Sequence, residues 1–239
     1  MSTDYAAAPA GRRRVSLRRV TRETDISLAL DLDGKARRGG PARPCVSTGL
    51  GFLDHMMTSL ALHAGWDFAL RCVGDLVVDD HHSVEDCGIA LGEALRLALE
   101  RGGRPRRFGS GFAPLDEALS RAVVDLSGRP FAQVELGLGE GSLGTMAREN
   151  VGHFLSSLAV SARLTLHLDV LRGENAHHRA ESAFKALALA LREACSIDPG
   201  ENEIPIGAVP GSTKGSVLLE ELGEEGFARL FSPPEGAPR

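Results

Sequence analysis

The sequence predicts an α+β fold in which one half-domain occurs twice in tandem. Three observations lead to this prediction. Hydrophobic residues make up 43% of the 239 residues and charged residues 25%, which is typical of a protein with a globular core. Segments that alternate like strands are followed by segments with helical periodicity. A histidine-rich motif in the first half also returns in the second half, which indicates a duplication.

The first half begins with a predicted strand and ends with a predicted amphipathic helix. Asp33-Gly34 follows the strand and predicts a hairpin turn, although Asp31 and Asp33 also match the D-x-D pattern of phosphatases. Asp79 or Asp80 is the expected N-cap of the last helix. The predicted elements, in chain order, are strand 26–32, helix 52–64, strand 67–73 and helix 81–101.

The second half retraces the first at an offset of about 94 to 98 residues. Glu117 takes the place of Glu23, and His153 takes the place of His55. Two such units packed helix to helix, with the sheets outside, bury a larger core than one unit alone. We therefore divide the chain into a flexible arm 1–14, a first repeat 15–101, a second repeat 108–195 and a tail 196–239.

Each repeat carries a His-His-x-x-Glu motif at the start of its last helix. Residues four apart lie on one face of a helix, so His81 and Glu85 can bind one divalent metal ion together. His177 and Glu181 repeat this arrangement. With the two equivalent upstream histidines, the motifs supply enough ligands for two metal ions with four ligands each: His55, His81, His82, Glu85, His153, His177, His178 and Glu181.

The composition gives no reason to expect a nucleic-acid or membrane protein. The net charge of -5 is mild, and no apolar run approaches the roughly 20 residues of a membrane span. The four cysteines show no C-x-x-C spacing, so we expect free thiols in a reducing cytoplasm. The N-terminus has no apolar signal region, and its Arg- and Ala-rich composition leaves a short organelle address open.

These motifs, together with several others in the same order, resemble the imidazoleglycerol-phosphate dehydratase family. The likeness runs from about Arg18 to Lys214 and so covers most of the chain. The segments that carry it are Phe52-Leu53-Asp54-His55-Met56, residues 79–86, Arg107-Phe108-Gly109, residues 114–119, Ser127-Gly128-Arg129-Pro130, Thr165-Leu166-His167, Asn175-Ala176-His177-His178 and Phe184-Lys185-Ala186.

The resemblance implies an enzyme of histidine biosynthesis, a hydro-lyase. It would remove water from D-erythro-imidazoleglycerol phosphate to give imidazole-acetol phosphate, with Mn²⁺ as cofactor, two ions per active site. The implied fold is ribosomal protein S5 domain 2-like, with helices packed between two four-stranded mixed sheets. The implied assembly is octahedral with roughly 24 subunits. Its metals lie at subunit contacts, so assembly and activity should be linked.

The resemblance also implies which residues share a metal ion. The sets are His55, His82, His177 and Glu181 for one Mn²⁺, and His81, Glu85, His153 and His178 for the other. Each set combines the i,i+4 pair of one helix with the spare histidine of the other helix, which agrees with helix geometry.

Further residues match positions that contact the substrate in the family. Glu23, His63 and Lys185 match contacts to the substrate, and Glu23 also matches a residue that moves protons. The phosphate would be held by two arginines, a hydroxyl and a lysine, which suit a dianion. These residues are Arg107, Arg129, Ser212 and Lys214, with Thr213 also a candidate because the register of the tail is open.

The implied reaction removes a proton from the carbon next to the imidazole ring. Holding the ring between two Mn²⁺ ions favours the imidazolate form, so the ring accepts electron density and a diazafulvene-like intermediate results. Glu23 is the candidate base, with a metal-bound water as the alternative. His63 is the candidate acid for the leaving hydroxyl.

Two other functions remain open on the sequence. A different di-metal enzyme, such as a hydrolase of a phosphorylated small molecule, would use the same histidines with a metal-bound hydroxide as nucleophile. A metal-storage or structural metal protein would use the ligands only to join subunits. That protein would show no turnover and would not need Glu23 or the arginine pair.

Overall fold

A computed structural model of the chain describes residues 12–34, 44–197 and 218–221. The helices are α1 (Gly51–Ala64), α2 (His81–Glu100), α3 (Arg148–Ala162) and α4 (Ala176–Ala194). The strands are β1 (Arg14–Val20), β2 (Thr24–Asp31), β3 (Cys45–Ser47), β4 (Asp67–Gly74), β5 (Phe108–Leu115), β6 (Ala118–Asp125), β7 (Phe131–Glu135), β8 (Ser142–Leu143), β9 (Met146–Ala147), β10 (Thr165–Arg172) and β11 (Leu218–Glu221). The predicted helices 52–64 and 81–101 and strands 26–32 and 67–73 are confirmed within two residues at each end.

Two mixed sheets enclose the helices. The first has the strand order β11-β1-β2-β4-β3 and the second the order β5-β6-β10-β7. β3 is parallel to β4, and β7 is parallel to β10, while the remaining neighbours in both sheets are antiparallel. The predicted pair of four-stranded mixed sheets is therefore confirmed, with β11 from the tail as an additional edge strand on the first sheet.

The duplication is visible in the order of the elements. The first half runs β1-β2-β3-α1-β4-α2, and the second runs β5-β6-β7-α3-β10-α4 with the short pair β8-β9 inserted before α3. α2 packs on the first sheet and α4 on the second, and the layers meet where α2 contacts α3 and α1 contacts α4. Helices thus meet helices at the centre of the molecule, with a sheet on each outer side.

The unit predicted from sequence, strand–helix–strand–helix, lacks two strands that the structure shows in each half. β1 was overlooked because five of the first eight residues from Arg12 are arginines, although the side chain of Arg19 is buried. β3 is only three residues long, which is too short for a periodic signal.

The Asp33-Gly34 turn does not form the predicted hairpin. Both sides of β2 are already paired, with β1 and with β4, and the next strand among the described residues, β3, lies on the far side of β4. The D-x-D pattern has a structural explanation here: Asp31 is buried in an ion pair with Arg12, and Arg13 donates to Asp33 at 2.6 Å. Both carboxylates are therefore occupied in holding β1 to the end of β2.

Two glycines bring α2 and α3 into close contact. A Cβ atom at Gly88 would lie 2.7 Å from the carbonyl oxygen of Phe154, and one at Gly92 would lie 2.5 Å from that of Leu158. Because any larger residue would collide with the backbone of α3, these glycines allow the two helices to approach. The first turn of α2 is thereby placed beside α3, where His153 lies.

Candidate metal centre

One group of three potential ligands joins α2 to α3. His81, Glu85 and His153 each present one ligand atom, and these atoms lie within 4.8 Å of one another. The rings of His81 and His153 stack with centroids 4.7 Å apart, and His153 Nε2 lies 3.5 Å from a Glu85 oxygen. Among the described residues, the buried Nε2 of His153 has no hydrogen-bond partner. We call these residues the α2–α3 group.

The start of α2 is fixed by the two aspartates that precede it. Asp80 occupies the N-cap position, but its carboxylate accepts from the backbone N–H of Ala147 at 2.8 Å. Asp79 accepts from the N–H of His81 at 2.9 Å. Since Ala147 directly precedes α3, Asp80 ties the ends of the two helices that carry the α2–α3 group.

A second group joins α1 to α4 and contains His55, His177 and Glu181, again with ligand atoms within 4.8 Å. One oxygen of Glu181 lies 3.2 Å from Nε2 of both histidines, and Lys185 donates to the other oxygen at 2.8 Å. Burial alone would raise the pKa of Glu181, but hydrogen bonds from Lys185 and His55 outweigh it and lower the pKa to about 2. Glu181 is thus ionised and ready to bind a cation. We call these residues the α1–α4 group.

Each group contains three of the four residues in the predicted set, and the fourth lies elsewhere in the same chain. His82 Nδ1 lies 3.0 Å from Asp75, and its Nε2 lies 3.7 Å from Glu23. His178 Nδ1 lies 2.7 Å from Glu117. These two histidines therefore do not complete either group within one chain.

Their carboxylate neighbours change how these two histidines titrate. The hydrogen bond with Asp75 is the largest cause of a raised pKa at His82. The hydrogen bond with Glu117 does the same at His178, and it helps to hold the pKa of Glu117 at about 2. Each pair is most favourable with a charged carboxylate and an Nδ1–H donor.

Glu23 is presented by the connection between β1 and β2. Thr24 donates to Asp86 of α2 at 2.6 Å, and Arg19 pairs with the same carboxylate at 2.8 Å. Asp86 directly follows Glu85, so this buried network fixes the Glu23 turn relative to the α2–α3 group. The Glu23 side chain is 49% exposed, and it accepts no hydrogen bond from the residues that the structure describes.

The other two predicted substrate contacts lie beside the α1–α4 group. Lys185 is bound to Glu181, and His63 follows His55 on α1 by about two turns, which places both on one side of the helix. Partial burial lowers the pKa of His63, and the positive charge of Lys185 adds to this effect. His63 is therefore mainly neutral near pH 7, which favours hydrogen bonding over the predicted donation of a proton from an imidazolium.

The predicted phosphate residues that the structure describes meet at one carboxylate. Arg107 Nε donates to Asp125 at 2.7 Å, and Arg129, with a side chain 79% exposed, approaches the same carboxylate at 4.0 Å. Arg107 lies next to the C-terminal end of α4, where its backbone N–H donates to the carbonyl oxygen of Ala194. Ser212, Thr213 and Lys214 lie outside the described residues.

The arginine pair and the α1–α4 group are far apart in one chain. Glu181 lies near the start of α4 and Ala194 at its end, which corresponds to roughly 20 Å at a rise of 1.5 Å per residue. A site that used both for one small ligand would have to combine residues of more than one copy.

Three residues that contact the histidines carry no motif for such a role in the sequence. Asp75 and Glu117 accept from His82 and His178, and Asn150 lies 3.2 Å from His81 Nδ1. Glu117 was recognised as the repeat counterpart of Glu23, which was the one available signal of a role. Asp75 lies in the loop after β4 and Asn150 lies in α3, and neither belongs to a sequence motif. Their contacts with the histidines therefore become visible only in the folded chain.

Within the described ranges, no helix is both long and apolar enough to cross a bilayer. All four cysteines are free thiols. The ligand groups, by contrast, have the chemistry of a transition-metal site, because imidazole nitrogens and carboxylate oxygens converge and one buried nitrogen lacks a partner.

Comparison with known proteins gives a consistent result. A family profile described as imidazoleglycerol-phosphate dehydratase matches residues 48–191. The imidazoleglycerol-phosphate dehydratase of Candida glabrata is 55% identical over 211 residues, covering 83% of this chain and 97% of that protein. The Saccharomyces cerevisiae protein of the same name is 50% identical over 220 residues, covering 84% and 97%.

Solved structures of the same enzyme share the fold. The Staphylococcus aureus enzyme superposes with a TM-score of 0.67 and 32% identity, covering 77% of this chain and 99% of that chain. The Pyrococcus furiosus enzyme, solved in complex with (S)-C348, gives a TM-score of 0.65 and 38% identity, covering 76% and 94%. The chain belongs to the imidazoleglycerol-phosphate dehydratase family, a family of hydro-lyases.

Proposed function

We propose that this chain dehydrates D-erythro-imidazoleglycerol phosphate to imidazole-acetol phosphate in histidine biosynthesis, in the cytoplasm. The observation that carries the proposal is the pair of repeat-related groups of potential ligands, one of which contains a buried imidazole nitrogen that makes no hydrogen bond among the described residues. The names of relatives at about 50% identity over most of their length support the same reaction. The three free cysteine thiols at the core, Cys72, Cys87 and Cys195, are compatible with a reducing compartment.

Two Mn²⁺ ions per active site fit the residues present. The α1–α4 group and the α2–α3 group would each bind one ion, and each offers a mixture of imidazole and carboxylate ligands. When bound, the ions would act as Lewis acids toward the imidazole ring of the substrate and as a template for its orientation.

The fourth ligand of each ion would come from a neighbouring copy. His82 and His178 lie outside the groups of their own chain, yet both retain an Nε2 atom that can face a partner. The α1–α4 group would receive His82 and the α2–α3 group His178, as the resemblance implies. A closed, symmetric assembly of roughly 24 subunits would repeat this exchange at every site.

The phosphate would likewise be bound by a different copy from the one that supplies a given metal-ligand group. Asp125 holds Arg107 at 2.7 Å and lies 4.0 Å from Arg129, so two cationic side chains stand side by side, to which Ser212, Thr213 and Lys214 would add. Because this pair lies far from the bond that breaks, its binding energy would serve to orient the substrate.

Glu23 would accept the proton from the carbon next to the ring. Its carboxylate is half-exposed and lies 3.7 Å from Nε2 of His82, a proposed metal ligand. Among the described residues, it accepts no hydrogen bond. His63 and Lys185 would contact the substrate on the side of the α1–α4 group. His63, as a neutral ring, would donate a hydrogen bond to the leaving hydroxyl.

The reaction is tested by adding Mn²⁺ to metal-stripped protein with imidazoleglycerol phosphate, while following ketone product and free phosphate together. We expect metal-dependent ketone without phosphate. Release of phosphate would instead identify a hydrolase, and Mn²⁺ binding without either product would identify a metal-binding protein of another kind.

The composite site is tested by coexpressing a Glu23→Gln chain with an Arg129→Ala chain, each inactive alone. If one site takes these residues from different copies, random mixing restores activity at about one quarter of sites. If both residues came from one chain, every chain would carry a defect and the mixture would stay inactive.

A further inference from the structure

Glu117 and Glu23 occupy equivalent positions in the two repeats, but their carboxylates have different surroundings. We propose that Glu117 is a positioning residue that holds the proposed metal ligand His178 with its Nε2 atom free for the metal, and that Asp75 does the same for His82. Nothing in the sequence motif assigns a role to either carboxylate. The inference rests on the proposed metal centre.

Both oxygens of Glu117 are fully engaged. One accepts from the backbone N–H groups of Glu174 and Asn175, at 3.2 Å and 2.9 Å. The other lies 2.7 Å from His178 Nδ1. Glu117 lies in the turn between β5 and β6. It therefore connects this turn to the segment that begins α4, and it fixes the orientation of the His178 ring.

In the first repeat, a different residue contacts Nδ1 of the second histidine of the motif. Asp75 lies 3.0 Å from His82 Nδ1 and directly follows β4, whereas the residue that directly follows β10 in the second repeat is Gly173. The second repeat thus has no carboxylate at that place, and Glu117 supplies one from the opposite hairpin. Because Asp75 holds His82, Glu23 is left free for chemistry.

A carboxylate on Nδ1 has a specific consequence for a metal ligand. It fixes the proton on Nδ1, so the lone pair of the neutral ring is on Nε2, and it makes that nitrogen more basic. Removing such a carboxylate usually costs about 10- to 100-fold in metal affinity. A residue with only a structural role in the loop would not produce this loss.

The test is Mn²⁺ affinity of the full-length protein, measured by the EPR signal of free Mn²⁺, for Glu117→Gln, Asp75→Asn and the matched control Glu23→Gln. In Glu117→Gln the amide oxygen is needed by two backbone N–H groups, so the NH₂ group faces His178 and forces the wrong tautomer. We expect affinity to fall about 10- to 100-fold in Glu117→Gln and Asp75→Asn, and to change less than about threefold in Glu23→Gln.

Turnover at saturating Mn²⁺ gives a second readout. Glu117→Gln should regain most of its activity when metal is raised, because only metal binding is impaired. Wild-type Mn²⁺ affinity in both Glu117→Gln and Asp75→Asn would overturn the inference, as would a turnover defect in Glu117→Gln that metal does not rescue. If the wild-type protein bound no Mn²⁺, the proposed metal centre itself would fail, which is a different result.

Discussion

The two halves of the molecule share a motif but differ in the residues that surround it. Both place His-His-x-x-Glu in the first turns of a helix, and each motif forms a three-residue group with one histidine from a helix of the other half. In the first half, Asp75 holds the spare histidine and Glu23 is free. In the second half, Glu117, the counterpart of Glu23, is engaged in holding His178. A duplicated scaffold can thus keep the metal-ligand groups identical while only one half retains a free carboxylate.

A second difference lies one residue after each motif. Asp86 in the first half is buried with Arg19, whereas its equivalent Ser182 hydrogen-bonds to Ser120 at 2.6 Å. The charged network supports the turn that carries Glu23, where the account places the chemistry. The neutral pair in the second half supports only the packing of α4 on β6.

The largest expected effect comes from removing the carboxylate of either ligand group. Glu181→Ala and Glu85→Ala should each reduce bound Mn²⁺ by about half and abolish turnover, because each ion loses a charged ligand and the reaction needs both. Metal analysis of the purified variants, with Glu140→Ala as an exposed control, measures this. Full metal content in either variant would show that its group is not a metal site.

The next effect is on stability and separates the two halves. Asp86→Ala leaves the buried Arg19 without its partner and should cost about 3–5 kcal/mol in the free energy of unfolding. Ser182→Ala breaks a neutral hydrogen bond and should cost only about 1 kcal/mol. Urea unfolding of metal-free protein at one fixed concentration compares them. Equal losses would mean that the ion pair contributes no more than the serine pair.

The smallest effect near neutral pH is the competition of protons with metal binding. Histidine binds metal as the neutral ring, so Mn²⁺ affinity should fall as pH drops, by roughly tenfold per unit for each histidine below its pKa. Asp75 and Glu117 raise the pKa of His82 and His178, so proton competition should begin above the usual value of about 6.5. Mn²⁺ titrations between pH 5.5 and about 8 follow this. Affinity that did not change over this range would exclude a histidine-rich site.

The sequence predicted the helices and the grouping of each His-Glu pair on one helix face, because both depend on local spacing. An i,i+4 pair such as His81 and Glu85 faces one side of a helix in any fold that keeps the helix. It could not predict Asp75 or Asn150 as partners of the histidines, because those contacts depend on where loops and helices meet in space. The arginine-rich β1 was missed because the burial of Arg19 depends on Asp86, which is distant in sequence.

The sequence also could not predict that His82 and His178 lie apart from the two groups in one chain, and the reason is a different one. The predicted four-residue sets assigned them to the two metals, yet one chain assembles only three residues of each set. If the sets are completed between copies, as we propose, the missing information concerns the assembly, and neither the sequence pattern nor the fold of one chain contains it. The separation of Glu181 from the arginine pair has the same explanation if one site combines residues of several copies, as we propose.

The central claim is that the first half retains the carboxylate that performs the chemistry. Its most direct test is kcat of Glu23→Gln at saturating Mn²⁺, with bound metal measured on the same sample. The account predicts unchanged metal content and a kcat reduced by about 10²-fold or more, the usual loss for a general base. Wild-type kcat in this variant would contradict the account and remove Glu23 from the reaction.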